Sequence, residues 1–180
     1  MSGAPALLKA APSANPVLAA LERAMAALNR VIMVASAIAL VLASCVLIES
    51  VIVRYFFKAT TDWQDEMTVF LLVGATFLSA AHVQSLRGHV GIEALAGMLP
   101  PSVDHARRSL IDLGSVLFCG FFAWKSWTLT HEAWIDGTRT ASTWEPPLAI
   151  PYGLMALGMT LLTVQIGLQL AANLVAGPGR

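Results

Sequence analysis

Four stretches of this 180-residue chain are nearly free of charge, and each is close to twenty residues long or longer. A helix rises about 1.5 Å per residue, so a bilayer core of about 30 Å takes about 20 apolar residues. Val31 to Ile48 carries no charge, and Met67 to Leu86 has no Asp, Glu, Lys or Arg. Ser109 to His131 is apolar apart from Asp112 and Lys125 near its two ends, and Pro146 to Gly179 is uncharged. Lipid offers the backbone no hydrogen-bond partners, so each run must cross as a helix. Barrel strands would alternate apolar and polar residues over about ten positions, a pattern missing here. The expected fold is an all-α integral membrane protein, with four transmembrane helices in a tilted bundle plus short interfacial amphipathic segments. A flexible segment at 1–15 and a tail at 176–180 flank a membrane domain over 16–175, with spans near 31–53, 66–86, 108–130 and 148–175.

Charge excludes several classes and orients the rest. Charged residues are 12% of the chain, about half the proportion usual in soluble domains. Eleven bases balance eleven acids, which leaves no basic field for nucleic acid. Two cysteines cannot build a disulfide scaffold, and no C-x-x-C is present to hold zinc. Seven of the bases (Lys9, Arg23, Arg30, Arg87, Arg107, Arg108 and Arg180) lie on one side of the expected spans, against Arg54, Lys58, Lys125 and Arg139 on the other. The excess places both termini in the cytoplasm. All five tryptophans (Trp63, Trp124, Trp127, Trp134 and Trp144) then fall at or beyond the outer interface, as a belt or as anchors for a docking partner.

The ends of the spans carry the local signals. Asn15-Pro16 reads as a cap and a first-turn proline, followed by an amphipathic stripe from Leu18 to Ile32 that either extends span one or lies along the inner headgroups. Leu42-Ala43-Ser44-Cys45 is shaped like a lipobox, but it lies too far along the chain for an ordinary signal and is expected to stay unprocessed. Thr61 and Gln64 have capping-box spacing, which starts span two at Asp62. Glu66 points one turn deeper, and Arg54 is its expected partner. Val90 to Leu99 reads as an interfacial amphipathic segment, and Ser102 as the cap of span three. Arg108 and Asp112 have the spacing of a pair on one helix face, and Pro151 marks the start of the last helix. Ala35, Ala39 and Ala43 form a small-residue stripe, and Gln165, Gln169 and Asn173 an amide stripe. Either could meet a helix of the same bundle or of a second membrane protein.

No phosphate-binding loop, H-E-x-x-H or serine–histidine arrangement occurs, and no internal repeat carries paired breaks at mid-depth. The sequence therefore points away from an enzyme and from a carrier acting alone, towards an accessory subunit without a cofactor. A second reading is a membrane anchor that binds haem b between His82 and His105 in a respiratory complex.

The stretch Arg54-Tyr55 … Trp63-Gln64-Asp65-Glu66, then Phe70 … Gly74-Ala75, then Arg87-Gly88-His89-Val90-Gly91-Ile92-Glu93, resembles the small, DctQ-type membrane subunit of TRAP (tripartite ATP-independent periplasmic) transporters. Pro147 … Ile150-Pro151-Tyr152-Gly153 is similar to the start of that family's last helix. The resemblance implies a bacterial inner-membrane subunit that partners a large membrane subunit and a periplasmic substrate-binding protein in sodium-coupled uptake of an organic acid. It implies that Arg54, Trp63, Glu66, Arg87 and His89 hold the helix pair and its inner connection. Asp62, Trp134, Asp136 and Trp144 are the expected docking residues for the binding protein. Ala35, Ala39, Ala43, Gln165 and Gln169 are the expected contacts of the large subunit, with lipid covering the rest.

Overall fold

The computed structural model describes residues 16–60, 62–86 and 101–176, and side chains within these except at 16–18, 62, 101–106, 108 and 175–176. Among the described residues the chain is helical throughout its spans: α1 Pro16–Ile52, α2 Asp62–Ser85, α3 Pro101–Ile135 and α4 Ala149–Ala176. A single π-helical turn, Val53–Phe57, ends α1. The expected segments at 1–15, 90–99 and 177–180 lie outside the described residues.

Local chemistry accounts for the helix starts. α1 begins at Pro16, whose missing N–H costs nothing in a first turn. α2 begins at Asp62, the position expected from the sequence. α4 begins at Ala149, two residues before Pro151, so that proline falls in the first turn and breaks no interior bond. The amphipathic N-terminal stripe continues span one as one unbroken helix. Thirty-seven residues reach about 55 Å, so α1 is longer than the hydrocarbon is thick.

Among the described residues, three helices are long and apolar enough to cross a membrane on their own composition: Ala19–Phe57, Trp63–Ser85 and Ala149–Leu174. α3 carries more charge, but it lies along α4 in the opposite direction. Asp112, Trp127 and Thr130 meet Asn173, Thr160 and Gly153 in reverse order. That packing carries α3 through the same layer as α4, and this is an all-α membrane protein.

The helices stand in a row, α1–α2–α4–α3, rather than in a closed ring. α2 and α4 run parallel, since Gly74, Phe77 and Gln84 meet Leu154, Gly158 and Gln169 in the same order. α1 touches α4 only narrowly. On α1 the buried positions are Asn29, Ser36, Ala43 and Ser50, each seven residues from the next. A strict seven-residue repeat keeps one seam against a neighbour when two helices coil left-handedly. Small residues let the middle pair approach: Ala81 and Ala156 are fully buried. A Cβ on Gly158 would lie 2.5 Å from the carbonyl of Phe77. Between α3 and α4 the core is Cys119, Ala123, Met159 and Ile166, flanked by Phe77, Val116, Met155 and Leu162. Large apolar side chains such as Val31, Ile48, Leu117 and Phe118 face outward, which suits a lipid surface.

Because α2 and α4 meet at backbone distance, Gly158→Ala should destabilise the protein by about 1–3 kcal/mol through overpacking. Gly114→Ala, which meets open space, should leave stability unchanged or raise it. Thermal unfolding of the two variants in detergent checks the contrast.

Candidate functional site

The C-terminal end of α1 and the N-terminal end of α2 are joined by polar contacts. Arg54 Nη2 stands 3.1 Å from Asp65 Oδ2, and Ser50 Oγ donates to Asp65 Oδ1 at 3.4 Å. Gln64 Nε2 donates to Glu49 Oε2 at 3.2 Å. These contacts correct two expectations from the sequence. Arg54 pairs with Asp65, not with Glu66. Successive helical residues point about 100° apart, and Glu66 falls in line with Phe77, three turns on, which packs against α4. Asp65 is the residue that faces α1. One carboxylate oxygen of Glu66, Oε2, is buried without a hydrogen-bond partner. Gln64 likewise does not act as the reciprocal residue of a capping box. Its amide is spent on Glu49, and its Oε1 accepts nothing.

Arg54 sits inside the π turn, which closes on Lys58 in the left-handed region at φ 51°. The wider turn leaves Tyr55, Phe56 and Phe57 about three-quarters exposed at the outer rim. Tyr55 meets Phe56 edge-on, with centroids 5.4 Å apart. Trp63 is exposed beside this rim, at the start of α2. The side chain of Asp62 lies outside the described residues.

The second element at this end of the bundle is the connection between α3 and α4. Gly137, at φ 59°, turns the chain out of α3, and Arg139 then bridges antiparallel to Pro147. Thr140 N–H donates to Pro146 O, Leu148 N–H to Thr138 O, and Arg139 Nη1 to Glu145 O. Pro146 and Ala149 are buried and anchor the loop. The loop is a defined shape that presents Trp134 at 78% exposure, with Asp136 and Trp144 also exposed. Trp134, on the last turn of α3, and Asp136 and Trp144, in the connection, are thus each exposed. Lys125, deeper on α3, lies 5.1 Å from the centroid of the Trp124 ring.

The amide stripe of α4 reaches every other helix. Gln165 Oε1 accepts from Asn29 Nδ2 of α1 at 2.8 Å. Gln169 Oε1 accepts from Gln84 Nε2 of α2 at 3.1 Å, and its own Nε2 donates to Gln84 O at 3.0 Å. Asn173 Nδ2 donates to Asp112 Oδ2 of α3 at 2.9 Å. One row of side chains, two turns long, thus ties α4 to three neighbours. The sequence singled out the stripe but not two of its partners, Asn29 and Gln84. Asn29 was legible as the first member of the seven-residue seam. Gln84 carries no comparable signal. Arg108, the expected partner of Asp112, has its side chain outside the described residues.

The alanine stripe splits between two surfaces. Ala43 is buried within the chain, Ala39 is half-buried and Ala35 faces outward. Arg87 and His89 lie outside the described residues, as does the side chain of His105. No group of three His, Cys, Asp or Glu side chains suited to a metal ion occurs among the described residues.

A row of membrane helices with polar groups tied internally and a shaped outer rim defines a small helical subunit of the membrane. The family described as tripartite ATP-independent periplasmic transporters, DctQ component, matches residues 43–176, and the chain belongs to that family. It is 29% identical over 158 residues to the C4-dicarboxylate TRAP transporter small permease protein DctQ of Vibrio cholerae, a match over 71% of this chain and 64% of that protein. It is 20% identical over 137 residues to a Haemophilus influenzae protein described as a TRAP transporter small permease, a match over 76% of this chain and 81% of that protein. The chain thus spans less than two thirds of the Vibrio relative. No solved structure matches. The family is one of multi-pass inner-membrane transporter subunits, not of enzymes, and it goes against the haem-anchor reading.

Two measurements test the polar contacts. In a double-mutant cycle, Arg54→Ala and Asp65→Ala should couple by no more than about 1 kcal/mol, because both side chains are more than half exposed. Lys58→Ala should show no coupling to Asp65→Ala. Gln169→Leu should cost about 1–3 kcal/mol in thermal unfolding, because it removes two hydrogen bonds from α4 to α2.

Proposed function

We propose that this chain is the small membrane subunit of a tripartite, ion-coupled secondary transporter, and that it works as scaffold and docking platform rather than as a pathway. The observation that carries this reading is the use of its intramembrane polar groups. The amides of α4 bond to Asn29, Gln84 and Asp112 inside the chain. A pathway needs polar groups that face a water-filled cavity and a passing solute. Here they hold helices together. The open row leaves large apolar side chains exposed along its helices, a surface suited to lie along a larger membrane subunit.

In this reading the large subunit carries substrate and sodium sites, and a periplasmic protein delivers an organic acid. The name of the Vibrio relative supports a carboxylate as the substrate class. Both termini face the cytoplasm, supported by the seven-to-four excess of bases on that side. The binding protein docks on the end of α3 and the α3–α4 loop, through Trp134, Asp136 and Trp144, and on Asp62; the exposure of the first three supports this. The large subunit meets the outward part of the alanine stripe, at Ala35. Gln165 and Gln169 serve that contact indirectly, by holding α4 in place, since their amides are engaged within the chain. Arg54, Trp63, Glu66, Arg87 and His89 shape the α1–α2 end and the inner connection.

Affinity purification from native membranes should recover a large membrane protein and a periplasmic protein with this chain. Solute movement by this chain alone in lipid vesicles would overturn the reading. Charge reversal of Asp62 and Asp136 together should weaken docking, with a salt dependence, while leaving the membrane pair intact. Ala35→Phe should prevent recovery of the large subunit without unfolding the chain, because that side chain already faces outward.

A further inference from the structure

We propose that the junction of α1, α2 and α4, near the inner end of the row, is a binding site for ordered water. Three polar atoms there are buried and have no hydrogen-bond partner: Asn29 Oδ1, Ser36 Oγ and His82 Nδ1. Asn29 is 1% exposed and Ser36 is 4% exposed. Asn29 is already fixed at this junction by the 2.8 Å bond from its Nδ2 to Gln165 Oε1 of α4.

The packing register brings the third group between the other two. His82 lies eighteen residues, five helical turns, after Gln64 and therefore on the same side of α2. Gln64 meets Glu49 of α1, and Asp65 meets Ser50. The two helices run in opposite directions, so each step inward along α2 is a step back along α1. His82 then falls opposite Ile32, midway between Asn29 and Ser36 on the seven-residue seam. Each of those two residues is about 5 Å from that level along the helix axis, which is the span of one bridging molecule.

The donor set selects the ligand. Asn29 Oδ1 can only accept, while Ser36 Oγ and a neutral imidazole nitrogen can accept or donate. None of the three carries a fixed negative charge to offset the desolvation of a cation. A small neutral molecule that both donates and accepts fits them, and buried water characteristically bridges such groups. Two waters, one between Asn29 and His82 and one between His82 and Ser36, complete the bonding. They also extend the polar attachment of α1 beyond its narrow contact with α4. This site stands apart from the transport reading and does not depend on it.

The sign of one stability change tests the proposal. In the full chain in lipid nanodiscs, Ser36→Ala should lower the Tm by about 2–4 °C, because it removes an anchor of the water. Ser126→Ala gives the scale, since the Ser126 hydroxyl is bonded to Phe122 O within the chain at 2.8 Å. In a dry junction Ser36→Ala would delete an unpaired hydroxyl, and the Tm would hold or rise. That result overturns the proposal. A density map of the chain in its membrane assembly, clear enough to show ordered water, gives the second measurement. Peaks within hydrogen-bond distance of Asn29 Oδ1 and His82 Nδ1 support the site, and their absence from such a map overturns it.

Discussion

In hydrocarbon a polar group that finds no partner within the protein has nowhere else to turn, and this constraint organises the whole chain. It forces the backbone into helices. It then decides which side chains can sit on them. α4 carries three amides within its C-terminal half, and each bonds to a different helix through Asn29, Gln84 or Asp112. Without those partners the stripe would be a liability. With them it sets the depth and rotation at which α1, α2 and α3 meet α4. Smooth apolar surfaces could slide past one another, whereas hydrogen bonds have fixed lengths and angles.

The row of helices follows from where small residues are placed. α2 and α4 lie side by side because Gly158, Ala81 and Ala156 let their backbones approach closely. α1 then adds to one flank along the Asn29–Ser36–Ala43–Ser50 seam, and α3 adds to the other through Cys119, Ala123, Met159 and Ile166. No ring closes around a central core. Much apolar surface stays outside, which would be untenable in water and is ordinary in lipid. An open row with apolar surface outside agrees with a membrane protein of the DctQ family.

Much of this was legible from residue order. The four spans, the helix starts at Pro16 and Asp62 and the amide stripe all follow from composition, spacing and proline position. The polar contacts were read less well, for a physical reason. Arg54 was matched to Glu66 because Glu66 lies deeper, but a neighbouring residue one step along a helix points about 100° away, and it was Asp65 that faced α1. The role of Gln64 was mistaken in the same way, since capping spacing says nothing of a glutamate on the next helix. Glu49, just past the uncharged run Val31 to Ile48, carries no local signal of its partner on the next helix.

The sequence alone determined that this chain lives in a membrane, that it is helical, and about where each helix starts and stops. Those outcomes depend on local quantities: length of apolar run, position of proline, and the lack of water to bond the backbone. Only the tertiary structure decided that the helices line up as α1–α2–α4–α3, that the α4 amides face inward, and that the alanine stripe divides between buried Ala43 and outward Ala35. Those depend on the relative rotation of helices far apart in the chain. Rotation is set by the sum of many close contacts, and no single segment contains that information.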